Sequence, residues 1–428
     1  MNEIPRSAAV LALIERLYPI CRSITGDGVR ETLRIVSEYI PLQVHEVPTG
    51  TSVFDWQVPL EWNIRDAWIK SSSGEKIVDF QQLNLHVLNY SEPVHKQIGL
   101  AELRDHLFTL PNQPDWVPYR TSYHDRNWGF CMTHRRFLEL QEDKYEVFID
   151  ASLSVGALTY GEFFIPGRST EEVLFITHVC HPSLCNDNLS GIAVATFLAK
   201  ELAQRSLRYS YRVLFLPATI GAITWLSLNR ENVEKVTHGL VLSLLGDREK
   251  FHYKESRNGK AAIDRLVPRV LRDRGDPFEI MKFYPYGYDE RQFCSPGMDL
   301  PIGRLTRSVH GEFPEYHSSA DNMELIRGES LAGSVDLLVQ IVEGIESAER
   351  FINLKPECEP QLGRRGLFKS IGGQAETKDF QMALLWVLSL SDGKHSLEDI
   401  AERSGLGVAI LRTAVNELLK TDLLARAD

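Results

Sequence analysis

The chain has 428 residues, 43% of them hydrophobic and 25% charged, enough for two or three folded domains. Its 47 Lys and Arg face 58 Asp and Glu, a net charge of −11 at pH 7, which argues against nucleic acid or an anionic membrane as the main partner. No apolar run reaches the length of a membrane-crossing helix, and the N-terminal apolar patch holds Glu15 and Arg16, so it reads as an amphipathic helix and not as an export signal.

Residues Ser7 to Leu17 carry apolar side chains at helical spacing, Thr25-Gly26-Asp27-Gly28 is a turn, and Val29 to Ile40 is a second helix. Leu42 to Val47 alternates like a strand. From Pro48 to Arg136 the chain turns to aromatics, prolines and short alternating runs, which predicts a β-rich module inserted into a larger domain. Within it Arg120 to Cys131 is dense in Tyr, Trp, His and Arg. Tyr123 and His124 are its candidates for substrate contact, and an aromatic packing cluster between module and main domain is the other reading. Tyr145–Asp150, Ala157–Ile165, Val173–Thr177, Tyr211–Leu216 and Gly239–Leu245 read as strands. Ile192–Gln204 and Ala222–Asn229 read as helices between them, and Leu331–Arg350 as a long closing helix. That alternation predicts an α/β sheet with helices on both faces, built from 1–47 and 137–355 around an insertion at 48–136. Glu357 to Glu376 reads as a linker. Ser396–Leu406 and Val408–Leu419 then form a helix-turn-helix, giving a C-terminal module over 362–428.

The chemistry concentrates after Val173–Thr177. A buried strand there runs into His178, His181 and Asp187, the last inside Asn186-Asp187-Asn188-Leu189-Ser190-Gly191. Sites in open α/β sheets lie just past the carboxyl ends of strands. A catalytic zinc needs neutral imidazoles and carboxylates on a rigid frame, with a position left for water. His317, in Tyr316-His317-Ser318-Ser319-Ala320-Asp321, supplies a fourth candidate ligand. Isolated histidines would be read as capping or core residues, and Asp187 alone as a helix N-cap. It is the four together that point to metal. Cys180 and Cys185 are read as buried structural thiols, and Asp321 with Glu324 has capping-box spacing.

His…Asp-Asn-x-Ser-Gly with a late Tyr-His-x-x-x-Asp resembles the zinc aminopeptidases of the carboxypeptidase-like exopeptidase fold. More narrowly, the chain resembles a bacterial aminopeptidase-like domain family associated with polysaccharide biosynthesis. That likeness rests on Arg22 to Gly28, Thr177 to Gly191, Asp289-Glu290-Arg291-Gln292 and Pro314 to Asn322. It implies a three-layer αβα core, an inserted β-rich module and a C-terminal winged helix. It also implies one or two zinc ions held by an early His, Asp187 and His317. The early ligand is left open between His178 and His181. Asp289, Glu290, Arg291 and Tyr316 join the candidates for substrate contact, Arg291 through its guanidinium fork or as a structural ion pair.

One position departs from the resembled pattern. Where the family has Pro-Glu-Thr-Ile-Gly at a strand end, this chain has Pro217-Ala218-Thr219-Ile220-Gly221. A methyl group neither takes a proton nor binds a metal. The chain is then either a homologue that lost the residue or a Glu→Ala form, and a general base of that kind is typically worth roughly 10²- to 10⁴-fold in rate. The aminopeptidase ligand on the following strand has no counterpart in Val241–Leu245, and Asp247 comes two residues later.

The C-terminal module has nine Lys or Arg and nine Asp or Glu from Gln361 to Asp428, so it lacks the basic face of a DNA reader. The expectation is a cytoplasmic zinc-dependent amide hydrolase acting on a small peptide or an aminoacyl or N-acyl metabolite. A non-catalytic binding homologue and a transcription regulator are its competitors. Six scattered cysteines without a CxxC pair suit reduced thiols, and a homo-oligomer is left open.

Overall fold

The structure is a computed structural model, and it describes residues 5–123, 125–367 and 375–427. By chain contacts it divides into two compact units, Met1–Val339 and Gln340–Asp428.

The first unit is built on two sheets. Its longer strands are β1 (Gln43–Pro48), β2 (Glu61–Lys70), β3 (Lys76–Asp79), β4 (Val94–Gly99), β5 (Lys144–Ser154), β6 (Ala157–Ile165), β7 (Glu172–His178), β8 (Ser210–Leu216), β9 (Val236–Leu242), β10 (Phe251–Lys254), β11 (Phe278–Met281) and β12 (Ile302–Thr306). Eight of these form the main sheet in the order β1-β6-β8-β7-β9-β12-β10-β11. The centre, β8-β7-β9-β12, is parallel, while β1-β6, β6-β8 and β10-β12 pair antiparallel. The chain passes from β7 to β8 on one side and then crosses to β9 on the other, so the topological switch lies at β7, where such sheets place their sites.

β7 and β8 are buried at every position, as expected of a parallel strand covered on both faces. Helix α3 (Gly191–Leu202) packs on both, helix α1 (Arg6–Leu17) packs on α3, and helix α2 (Asp27–Val36) and helix α4 (Ile220–Leu228) pack on the neighbouring β6. α3 starts almost against the sheet. A Cβ on Gly191 would lie 2.4 Å from Asn188 Oδ1 and 2.7 Å from the Leu242 carbonyl, so only glycine lets the helix begin this close to the metal-capable loop.

The inserted module holds a four-stranded antiparallel sheet, β3-β2-β5-β4. Its central strand β5 comes from beyond 48–136, in a stretch expected to belong to the main sheet. The burial pattern explains the difference. β5 alternates buried and half-buried residues from Tyr145 to Ala151, the mark of an antiparallel sheet with one covered face, whereas β7 is buried throughout. Arg30 of α2 ties the module to the core by donating to both carboxylate oxygens of Glu61, at 2.8 and 2.6 Å.

In the second unit, strands β13 (Arg350–Asn353), β14 (Asp392–Ser396) and β15 (Leu424–Arg426) form a sheet in the order β14-β13-β15. It packs with Ala375–Leu390, Leu397–Ser404 and Val408–Lys420 around a core that includes Phe351, Leu384, Leu397 and Leu411. Ser396 and Asp399 cap the second of these helices reciprocally. Part of the expected linker lies outside the described residues.

Candidate metal centre

β7 delivers His178 at its last position, and the turn after it delivers His181. The chain then folds into the loop Cys185–Ser190, every residue of which is buried. Burial is tolerable there because the loop's polar groups are paired. Asn188 Nδ2 donates to Thr177 Oγ1 at 2.8 Å and to the His178 carbonyl at 3.0 Å. Asn186 Oδ1 accepts from the Gly246 amide at 2.9 Å. Asp321 accepts from the amides of Asn186 and Asp187, at 2.6 and 2.8 Å. The spacing of Asp321 suggested a capping box; its carboxylate instead holds the loop that carries Asp187.

Asp187 is the hub. Its Oδ1 lies 3.0 Å from His178 Nε2 and 3.5 Å from His181 Nδ1, and its Oδ2 lies 3.0 Å from His317 Nε2. His178 Nε2 and His181 Nδ1 are 3.2 Å apart. The ligand atoms of His178, His181 and Asp187 all lie within 4.8 Å of one another. The structure therefore brings both early histidines to one oxygen of Asp187 and the late one to the other. Burial alone would raise the Asp187 carboxyl, but the three imidazoles outweigh it and hold it well below the usual range. Burial lowers His178 and His317 against the pull of Asp187. A charged carboxylate beside His178 and His317 held toward the neutral form suits a metal, which requires that protonation state of its ligands. Asp187 Oδ2 and His317 Nε2 are buried, and their mutual approach lacks hydrogen-bond geometry. The set of three imidazoles and a carboxylate suits zinc.

Neighbouring groups aim these side chains. Buried Arg22, inside the resembled Arg22–Gly28 stretch, donates from Nε to the His181 carbonyl at 2.9 Å. His317 has φ of 53°, in the left-handed region a histidine rarely enters. Its carbonyl accepts from the Tyr119 amide at 2.7 Å, and the Tyr119 ring meets His181 and His317 edge-on at 5.1 and 5.0 Å. Tyr316 stacks on His317 at 3.9 Å and Tyr288 on His178 at 4.8 Å. The sequence marks Arg22 only as part of the Arg22–Gly28 stretch, with no role, and does not mark Tyr119. Tyr119 sits one residue before the aromatic cluster that drew attention.

A cavity of about 200 Å³ opens on this centre, walled by His181, His317, Tyr123, Tyr316, Tyr288 and Ala218 among others. Ala218 thus shares the chamber with the histidines. A second cavity of about 450 Å³ adjoins it through Trp56 and Ile223 and is lined by Phe54, Leu226 and Met298. His124 lies outside the described residues. The cavity wall takes Tyr286, Gly287 and Tyr288 from the neighbouring segment but not Asp289, Glu290 or Arg291. Asp289 is buried with both oxygens unpartnered, and burial with Glu290 nearby pushes it up to about 7. Glu290 pairs with Lys254 at 2.9 Å and Arg304 at 3.3 Å. Asp247 accepts from Asn186 Nδ2 at 2.5 Å, so it braces the loop and stands apart from the donor cluster. Cys180 and Cys185 are buried thiols, with Cys180 Sγ 3.7 Å from the Ala218 carbonyl. His310 is buried.

Comparison with known proteins follows the same lines. Residues 11–348 match the family described as Domain of unknown function (DUF4910), and residues 349–426 match a winged helix-turn-helix family. A protein of Clostridium acetobutylicum, named as a candidate polysaccharide biosynthesis protein with an aminopeptidase-like domain, is 48% identical over 423 residues, covering 99% of this chain and 97% of its own. A crystal structure of a candidate peptidase from the same organism superposes with a TM-score of 0.83 at 48% identity, covering 98% of this chain and 96% of the other. BSAP, a zinc aminopeptidase of Bacillus subtilis, shares the fold at a TM-score of 0.58 and 14% identity, covering 80% of this chain and 96% of the other. The expected α/β exopeptidase-like core and the C-terminal winged helix are both present, and the chain belongs to the DUF4910 family of aminopeptidase-like proteins.

Proposed function

We propose that this chain is a zinc-dependent hydrolase of amide bonds whose turnover is curtailed at Ala218. The observation that carries the reading is the convergence of His178, His181 and His317 on Asp187 in a cavity that Ala218 also lines. These four residues would hold one or two zinc ions. When bound, zinc supplies Lewis-acid polarisation of a substrate carbonyl and of water. The protein's own groups do the rest. Asp187 keeps the imidazoles convergent, Tyr119 and Tyr316 pack against the rings, and the aromatic walls limit water. Tyr123, Tyr316 and the 289–291 segment are the proposed substrate contacts or their supports. The adjoining cavity with Phe54, Trp56 and Met298 suits an apolar group on a small peptide, aminoacyl or N-acyl substrate. All six cysteines are free, which suits a reducing compartment such as the cytoplasm.

Ala218 favours a second reading, a homologue that binds the same ligand without turning it over. Two measurements separate them. Metal analysis of the purified chain should find zinc, and a metal-free protein sinks the hydrolase reading. Ala218→Glu should raise hydrolysis across an aminoacyl and acylamide panel by about 10²- to 10⁴-fold. Zinc present with no gain in rate leaves the binding reading standing.

A further inference from the structure

A buried charge cluster lies directly behind one wall of the metal cavity. Lys254 Nζ donates to Glu290 Oε1 and to the Tyr286 carbonyl, both at 2.9 Å. Arg304 Nη1 lies 3.3 Å from the same Glu290 oxygen and 3.1 Å from His310 Nδ1. Lys254, Glu290, Arg304 and His310 are all buried. Gly287 forms the wall in front of them. A Cβ there would meet Glu290 Oε1 at 2.1 Å, Lys254 Nζ at 2.9 Å and Arg304 Nη1 at 3.0 Å, so glycine lets the cluster approach the cavity with no side chain between.

Two features of this cluster ask for an acceptor. First, a guanidinium has donors only, so His310 Nδ1 must accept from Arg304. The neutral ring then carries its proton on Nε2. That atom is buried and has no protein partner, although His310 itself lines the cavity. A buried donor left unpaired is costly. Second, two cations, Lys254 and Arg304, face one carboxylate, Glu290, and Arg304 Nε is also unpartnered. Within this group of three, one positive charge stays in excess.

We propose that His310 is a substrate-binding donor, its tautomer set by Arg304, whose Nε2–H takes an anionic oxygen of the molecule filling the metal cavity. That oxygen is either a carboxylate of the ligand or the oxyanion developing at an attacked amide. The inference rests on the hydrolase reading and deepens it. Tyr286 and Tyr288 pack on the His310 ring at 5.0 and 5.2 Å and complete its surroundings. Burial first, then Arg304, lowers its pKa to about 4, so the ring stays a neutral donor at physiological pH. In this scheme Arg304 is a positioning residue and His310 touches substrate.

The test uses the full zinc-loaded chain and three probes. L-leucine carries a carboxylate, 1-amino-3-methylbutylphosphonate carries a tetrahedral oxyanion, and L-leucinol carries neither. His310→Ala should weaken leucine, the phosphonate, or both by about 10- to 100-fold, with leucinol binding and zinc content at the parent level. Whichever probe is weakened names the source of the oxygen. His310→Gln, which keeps an N–H donor, should recover most of the loss. Nitrogen-15 NMR of histidine-labelled protein reads the tautomer independently of any ligand. Nε2 should carry the proton in the parent, and Arg304→Met should release that preference. A parent ring protonated on Nδ1, or probe binding indifferent to His310→Ala, overturns this inference alone. A zinc-loaded parent that binds none of the three overturns the hydrolase reading and this one together.

Discussion

The ends of β7 and β8 lie side by side in one parallel pair, with His178 opposite Leu216 and the Val179 amide donating to the Leu216 carbonyl at 3.0 Å. They could hardly be furnished more differently. After β7 come His178, His181 and Asp187, each held by named partners: Arg22 on the His181 carbonyl, Asn188 on that of His178, and Asp321 on the Asp187 amide. After β8 come Pro217, Ala218 and Thr219, and α4 begins at Ile220. The side chain at 218 is a half-exposed methyl on the cavity wall. Nothing that braces the first end depends on the residue at 218. The difference teaches that the groups bracing the candidate ligands and the residue facing them at 218 are separate features of the sheet, which the proposed function makes testable one at a time.

Asp187→Ala should break the comparison most severely, because three imidazoles converge on that one carboxylate. Changes to groups merely supporting metal ligands cost 10–100-fold in affinity, so loss of the hub should cost at least about 100-fold. Competition with a chromophoric chelator measures it. Ala218→Ser, at the other strand end, should leave zinc affinity within about twofold. A large loss in the serine variant would mean that the two ends are not independent.

Asp321→Asn should have the next largest effect. The carboxylate accepts two backbone amides, and an asparagine offers one oxygen and turns an N–H toward the other amide. Burial pushes the Asp321 carboxyl up to about 8, so the cradle is bought at some electrostatic cost. Zinc affinity should fall by about 10- to 100-fold, with roughly 1–3 kcal/mol of stability lost in denaturant titrations. Unchanged affinity would make Asp321 a brace of the fold only.

The four candidate metal residues were legible as a pattern because side chains of the right chemistry cluster within short stretches after an apolar run. The residues that aim them were not. Arg22 acts across 159 positions on a backbone carbonyl, and Tyr119 reaches His317 through its own amide. Such contacts leave no local signature. His310 carries no such signature either, because a lone histidine between an apolar and a glycine neighbour says nothing of burial. The parallel centre of the sheet could be read from apolar runs. Strand β5 could not be assigned to its sheet in the same way, because period-two alternation names an antiparallel strand without naming its partner. In the second unit the helix pair is plain from its helix-turn-helix pattern. Arg412, on the second helix of that pair, forms an ion pair with Glu349, a use its spacing could not show.

The smallest predicted effect lies away from both strand ends. Arg30 links α2 to Glu61 of the inserted module, and its hydrogen bonds hold the Glu61 carboxyl down to about 2. A folded-state pKa below the ordinary 4.5 contributes stability that is fully present above pH 4.5 and is lost as pH falls toward 2. The pair is partly open to solvent, so screening limits its worth to about 1 kcal/mol. Arg30→Gln should therefore be less stable than the parent by about that amount at pH 6, with the two curves converging below pH 2 to 3. Its zinc content decides something further. Among the described residues the module reaches the cage through Tyr119, which meets both His181 and His317, far along the chain from Glu61. If zinc affinity holds while acid stability changes, the β7 end is locally braced. If affinity falls with Arg30→Gln, docking of the module tunes His317, and the contrast between the two strand ends must be redrawn to include a third element.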